Sequence, residues 1–202
     1  MSWIKVIDPG EATGKLKNIY DRVQTPGKRV DNILQVHSLR PHTLEGHMAL
    51  YKNVLHHNAN TLPKWFLETI GVYVSLLNKC SYCAEHHFAG LKRLLAPDTE
   101  KAEEIRTALS DDICSDIFTK KERLLLQYSE KLTTSPSAIT KDDILAIQNE
   151  GIEDGEILEI NQVAAYFSYA NRTVLGLGTT TDGDELGLSP GNSNNPDDWS
   201  HK

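Results

Sequence analysis

Apolar residues recur at three- and four-residue intervals along most of this chain, the spacing of helices that bury one face. Leu16, Ile19, Tyr20 and Val23 trace the first such face, which Thr25-Pro26-Gly27 stops. A short helix is predicted over 32–39, ended by Pro41, and Leu44, Met48, Tyr51 and Leu55 mark the next, which runs into a polar loop at 56–60. Thr61 is the expected cap of a helix that begins near Pro63 and buries Leu67, Ile70, Val74 and Leu77. Asn78-Lys79 breaks it before another helix starts with Ser81 as its cap. Pro97-Asp98-Thr99 opens a helix carrying Ile105, Ala108 and Leu109, and Thr119-x-x-Glu122 and Thr140-x-x-Asp143 are capping boxes in front of two more. Asp154 is the expected cap of a long helix with Ile157, Ile160, Ala164, Phe167 and Val174 on one face. No period-two alternation or Asn-Gly hairpin interrupts the pattern, so the fold class is all-α.

Beyond Thr179 the composition turns to Gly, Asp, Ser, Asn and Pro, with Trp199 as the only aromatic residue. This divides the chain into one helical domain over 1–178 and a polar tail over 179–202, either mobile or docked on its own body or on a neighbouring subunit. Setting Leu67-Glu68 against Leu158-Glu159 places Cys80 opposite Asn171. That echo reads either as a duplicated helix pair or as the chance similarity of two amphipathic helices. A formal charge of −7 and a pI near 5.6 leave no basic surface for nucleic acid or anionic lipid. No apolar run approaches the roughly 20 residues that span a bilayer. The opening Met1-Ser2-Trp3-Ile4-Lys5-Val6 lacks a signal peptide's apolar core. The expectation is a cytoplasmic protein with neither nucleic acid nor membrane as partner.

The chemistry concentrates in Cys80-Ser81-Tyr82-Cys83, followed by His86 and His87. Three cysteines are too few for a disulfide framework and point to a reactive or metal-binding pair. A thiol's pKa falls at a helix N-terminus, beside histidine or within Cys-x-x-Cys, so the segment reads as a redox-active dithiol. Helical spacing puts His87 on the face of Cys83, where it can act as base or hydrogen-bond partner. A structural zinc site wants four ligands, yet the remaining cysteine is the isolated Cys114, and His86 points about 100° away from His87. Neither a metal nor a cofactor is therefore expected. Burial of both cysteines as small hydrophobes is the other reading, against which the polar flanks Ser81, Glu85 and His86 weigh. Glu68 lies twelve residues before Cys80, an offset of about 120° on one straight helix, so only a bend at Asn78-Lys79 brings it to the thiols. It is either a solvated edge residue or a buried base. His37, His42, His47, His56 and His57 form no i, i+4 metal pair and read as surface or edge residues. The late polar pair Asn171-Arg172 either lines a cavity or ends a helix.

The pattern Glu68, Cys80, Cys83, His87 resembles the signature of the alkylhydroperoxidase D family, part of the carboxymuconolactone decarboxylase-like superfamily. The segments Glu11-Ala12-Thr13-Gly14-Lys15-Leu16, Ile19-Tyr20-Asp21 and Ala165-Tyr166-Phe167-Ser168-Tyr169-Ala170-Asn171-Arg172 resemble its uncharacterised peroxidase-related members, so the likeness covers residues 10–178. The resemblance implies a helical protomer that assembles into trimers, hexamers or related homo-oligomers. It implies a thiol-dependent peroxidase or dithiol–disulfide oxidoreductase that takes a hydroperoxide or disulfide substrate and an external thiol reductant. By position, Cys83 would be the peroxidatic thiol, Cys80 the proton donor and resolving partner, and His87 with Glu68 the relay. Tyr82, which stands where the best-known peroxidases carry histidine, and His86 would be accessory residues. The competing readings are a non-redox lactone decarboxylase-type enzyme with His87 and Glu68 as acid and base, and a non-enzymatic oligomeric or metal-binding protein.

Overall fold

Leu16, Ile19, Tyr20 and Val23 turn inward from α1 (Gly14–Val23) and meet Leu44 and Met48 of α3 (Pro41–His56). The computed structural model describes residues 2–195 and 197–199, and all regular structure among them is helical. The short helix between these two is smaller than its pattern predicts. α2 (Asn32–Gln35) gives way to turns, and Pro41 opens α3 instead of closing α2, since a first-turn proline sacrifices no hydrogen bond. α3 also runs through His56, which is fully buried rather than part of a polar loop.

α4 (Lys64–Leu77) is the central helix, buried without interruption from Phe66 to Ser75 and packed against α5 (Ser81–Leu95), α7 (Lys120–Thr134) and α9 (Asp154–Leu177). Its cap is Pro63. The Thr61 N–H donates to Glu159 at 2.8 Å instead of Thr61 capping the helix. α6 (Thr99–Asp111), capped by Asp98, covers α5, and α8 (Lys141–Asn149) packs on α7. Both capping boxes form. The cap of α9 lies one residue earlier than Asp154, at Glu153, whose box partner is Glu156. Gly71 marks the crossing of α4 and α9, where a Cβ would fall 2.3 Å from the Phe167 ring.

A three-residue turn joins α4 to α5 and folds them back on each other. Lys79 takes the left-handed conformation (φ 57°), its N–H donates to Leu76 at 2.9 Å, and the Cys80 N–H donates to Ser75 at 2.8 Å. These are the two bonds of a Schellman motif, with lysine where glycine is usual. α9 passes Asn171 unbroken, so the echo between 67–80 and 158–171 does not extend to the backbone. Past α9 the described tail residues lie on the body of their own chain. The Arg29 guanidinium donates to Gly183 at 2.9 Å, the Lys52 ammonium donates to Gly191 at 2.6 Å, and Trp199 is 6% exposed among the apolar residues of α1 and α3. No helix of the described residues is long and apolar enough to cross a membrane.

Candidate active site

Cys80 caps α5 and Cys83 is its third residue, one position from the expected arrangement with Ser81 as cap. Both thiols are free and buried at the end of the helix where unpaired N–H groups gather. The two sulfurs hydrogen-bond to each other. That bond holds the Cys80 thiol below its ordinary range against the opposing effect of burial, and together with burial it pushes Cys83 well up. Of the two thiols, Cys80 is therefore the one that ionises first, with Cys83 as the donor to it. The Asn171 carboxamide opposes the rise at Cys83. Asn171 is itself fixed, fully buried, donating to Ser75 Oγ at 3.1 Å and accepting from Asn78 Nδ2 at 3.0 Å. It belongs to the dithiol environment and not to the end of α9.

The turn at Asn78-Lys79 brings Glu68 and His87 together across the α4–α5 hairpin, with His87 Nδ1 2.6 Å from Glu68 Oε2. The reversal of the chain, rather than a bend, removes the 120° offset of a straight helix. Glu68 is 2% exposed, a buried carboxyl and not an edge residue. Gly90, one turn past His87, presents no side chain to it. Phe167 of α9 meets the His87 ring edge to face, with centroids 4.5 Å apart, and so fixes its plane. Against an ionised Glu68, which can only accept, Nδ1 is the donor and Nε2 the nitrogen left to exchange a proton.

A cavity of about 70 Å³ opens on Cys83, Glu68, His87, His47, Tyr51 and Tyr166. Cys83 lies on its wall and Cys80 behind it. Among the described residues no group of three or more histidine, cysteine or carboxylate side chains is placed to hold a metal ion.

No family model matches the chain, and no curated protein matches it. Solved structures do. An uncharacterised peroxidase-related protein from Ralstonia eutropha JMP134, with an alkylhydroperoxidase AhpD core, is 20% identical, with 91% of this chain and 93% of that chain covered and a TM-score of 0.76. A peroxidase-related protein from Silicibacter sp. TM1040 is 23% identical over 83% of this chain and 85% of its own, with a TM-score of 0.71. The fold is that of the alkylhydroperoxidase D core. The same fold covers 91% of this chain and 95% of a debrominase, Bmp8, in complex with 2,3,4-tribromopyrrole, at 16% identity and a TM-score of 0.65.

On this alkylhydroperoxidase D core the two accessory positions turn to the tail. The Tyr82 hydroxyl donates to Asp184 at 2.6 Å and accepts from the Ile33 N–H at 3.0 Å, and His86 Nε2 lies 3.2 Å from the same carboxylate oxygen. Asp184 gives no signal in the sequence, lying 102 residues from Tyr82 in an unpatterned stretch. Three histidines read as surface or edge residues, His37, His47 and His56, are buried. His47 is on the cavity wall beside His37 and Tyr166. Burial, followed by His37, lowers its pKa to about 3, so its ring is neutral, and its Nδ1 has no partner.

Asp31, also on the cavity wall, has an unpaired Oδ1 and a pKa raised to about 6 by burial, with His86 opposing and Asp184 and Glu185 adding to the rise. Its folded pKa lies above its unfolded one. Its stabilising contribution is present at low pH and is lost as pH rises through about 6, after which its charge disfavours the fold. Asp31→Asn is therefore expected to raise the melting temperature relative to wild type at about pH 7.5, with the difference closing towards about pH 4. Melting curves across that range check it; a difference independent of pH refutes it.

Proposed function

We propose that the protein is a thiol-dependent peroxidase working as a dithiol–disulfide oxidoreductase, with Cys83 as the attacking sulfur. The observation that carries this reading is a hydrogen-bonded thiol pair with one sulfur on the wall of a small cavity that it shares with the His87–Glu68 pair. As Cys83 attacks the hydroperoxide, its proton passes to Cys80. The O–O bond breaks, Cys83 becomes a sulfenic acid, and the departing alkoxide takes that proton from Cys80 to leave as the alcohol. Cys80, again a thiolate, displaces hydroxide from the Cys83 sulfur and closes the disulfide, and the hydroxide leaves as water with a proton that His87 Nε2 has first taken up from solvent. The thiols lose two electrons, the peroxide gains them, and an external dithiol restores the pair by exchange. Glu68 holds His87 in the tautomer that this proton delivery needs.

The peroxidase-related names of two structural neighbours agree with this reading, while the debrominase illustrates that one fold serves several chemistries. A decarboxylase acting on a carboxylated lactone would need a cation for its substrate, and among the described residues no lysine or arginine lines the cavity. One equivalent of hydroperoxide added to the reduced protein should consume two thiols and about 2 Da of mass, and in Cys80→Ser a sulfenic acid should be trapped on Cys83. Thiols 80 and 83 that stay reduced, or a sulfenic acid formed at the wild-type rate on Cys80 in Cys83→Ser, would overturn the assignment.

A further inference from the structure

The tail covers the cavity with Gly187, Leu188, Ser189, Pro190 and Trp199. It is tied to the body on both sides of that cover. Asp184 accepts from Tyr82 and from the Asn32 N–H at 3.0 Å, the Arg93 guanidinium donates to Gly187 at 2.9 Å, and the Lys52 ammonium donates to Gly191. Gly187 presses directly on α5. It has φ 78°, and a Cβ there would lie 2.7 Å from Ala89. Only glycine combines that conformation with that approach.

The space beneath is small, and among the described residues its lining offers no unpaired cation. Its roughly 70 Å³ is less than half of the approximately 150 Å³ that holds a benzene in an apolar protein cavity. Glu68 and Asp31 are on its wall, no lysine or arginine among the described residues is, and the buried His47 offers an uncharged nitrogen without a partner. A carboxylate-bearing molecule would enter beside buried acids, and the histidines on the wall that could offset its charge, His86 and His87, are already held by Asp184 and Glu68.

We propose that residues 184–195, together with Trp199, form an intrachain roof that restricts the Cys83 cavity to small uncharged molecules, of which hydrogen peroxide and short alkyl hydroperoxides are the reactive class. The peroxide part of this statement rests on the function proposed above; the size and charge limits do not. Alkylation separates the two, because it requires no peroxide.

Cys83 should react with iodoacetamide at least about tenfold faster than with the similarly sized anion iodoacetate, after each rate is divided by that for 2-mercaptoethanol. The exposed Cys114 supplies a reference for size within the same molecule. N-phenylmaleimide should label Cys114 and spare Cys83 in the wild type, and should reach Cys83 in Gly187→Ala, whose roof cannot seat. Arg93→Gln, which removes one anchor without crowding α5, should show an intermediate gain. Far-UV circular dichroism of both variants verifies that the helical body is intact. Peptide mass spectrometry reads each site. Normalised rates equal for the two iodo reagents, N-phenylmaleimide on Cys83 in the wild type, or a Cys83 equally inert in wild type and Gly187→Ala would each overturn the roof. The expected labelling combined with thiols inert to peroxide would retire the peroxidase and leave the roofed cavity standing.

Discussion

Glu68→Gln is expected to slow peroxide-dependent loss of the two thiols by about 100-fold, the usual scale of a positioned proton-transfer group, while leaving the fold intact. The carboxyl is 2% exposed and is hydrogen-bonded to His87 Nδ1. The amide keeps its shape and can still occupy that bond, so packing is preserved. What disappears is the acceptor-only character that selects the Nδ1-protonated ring and leaves Nε2 to exchange protons. A reversed or mixed tautomer stalls the delivery of the last proton, and the shape of the pH–rate profile should change with the rate. Removing the histidine instead would leave a carboxylate buried without its partner, at a cost of about 3–5 kcal/mol, and would confuse catalysis with stability. Stopped-flow thiol titration with parallel calorimetry distinguishes the cases. A wild-type rate and pH profile in Glu68→Gln would assign Glu68 to the architecture alone.

Gly71→Ala should lower the melting temperature by about 6–12 °C, the equivalent of about 3 kcal/mol in a protein of this length. The new methyl would lie 2.3 Å from Phe167 Cζ and 2.4 Å from Cε2, and Phe167 is fully buried, so its ring has nowhere to retreat. Either α9 lifts from α4 or the ring rotates off its rotamer. Both disturb the edge contact that fixes the plane of His87, so the peroxide reaction should slow as well. Combining the change with Phe167→Leu should recover part of the lost stability by removing the clashing atoms. An unchanged melting temperature in the single variant would mean that the crossing of α4 and α9 is looser than described.

Features whose cause is local were legible in the sequence. The apolar stripes of α1, α4 and α9 and the boxes at Thr119 and Thr140 depend on residues within a few positions of one another, and all of them form. Cap positions slipped by one residue at Cys80 and Glu153, where adjacent polar groups compete for the same N–H groups. The hairpin between α4 and α5 was hidden because Lys79, not a glycine, takes the left-handed position of its Schellman turn. His47 and His56 read as polar and hence peripheral. Their distant partner is Tyr166, which meets His47 directly and reaches His56 through Tyr51, a ring of the same helix that packs on both Tyr166 and His56. The pairing of Glu68 with His87 could be stated as a requirement for a turn, but not as a distance. Asp184 and the cover over the cavity were beyond reach, since a carboxylate in a Gly- and Asp-rich stretch carries no local mark of its partner.

The separation of Tyr82 and Asp184 by 102 residues also sets an order of events during synthesis. At about 5–20 residues per second, a ribosome needs on the order of 5–20 s to get from one to the other. Through that interval the two thiols and their histidine exist on the nascent chain without the segment that later covers them. Pulse-labelling of elongating chains with a bulky maleimide would therefore mark Cys83 early and lose access to it once the later residues have emerged and docked.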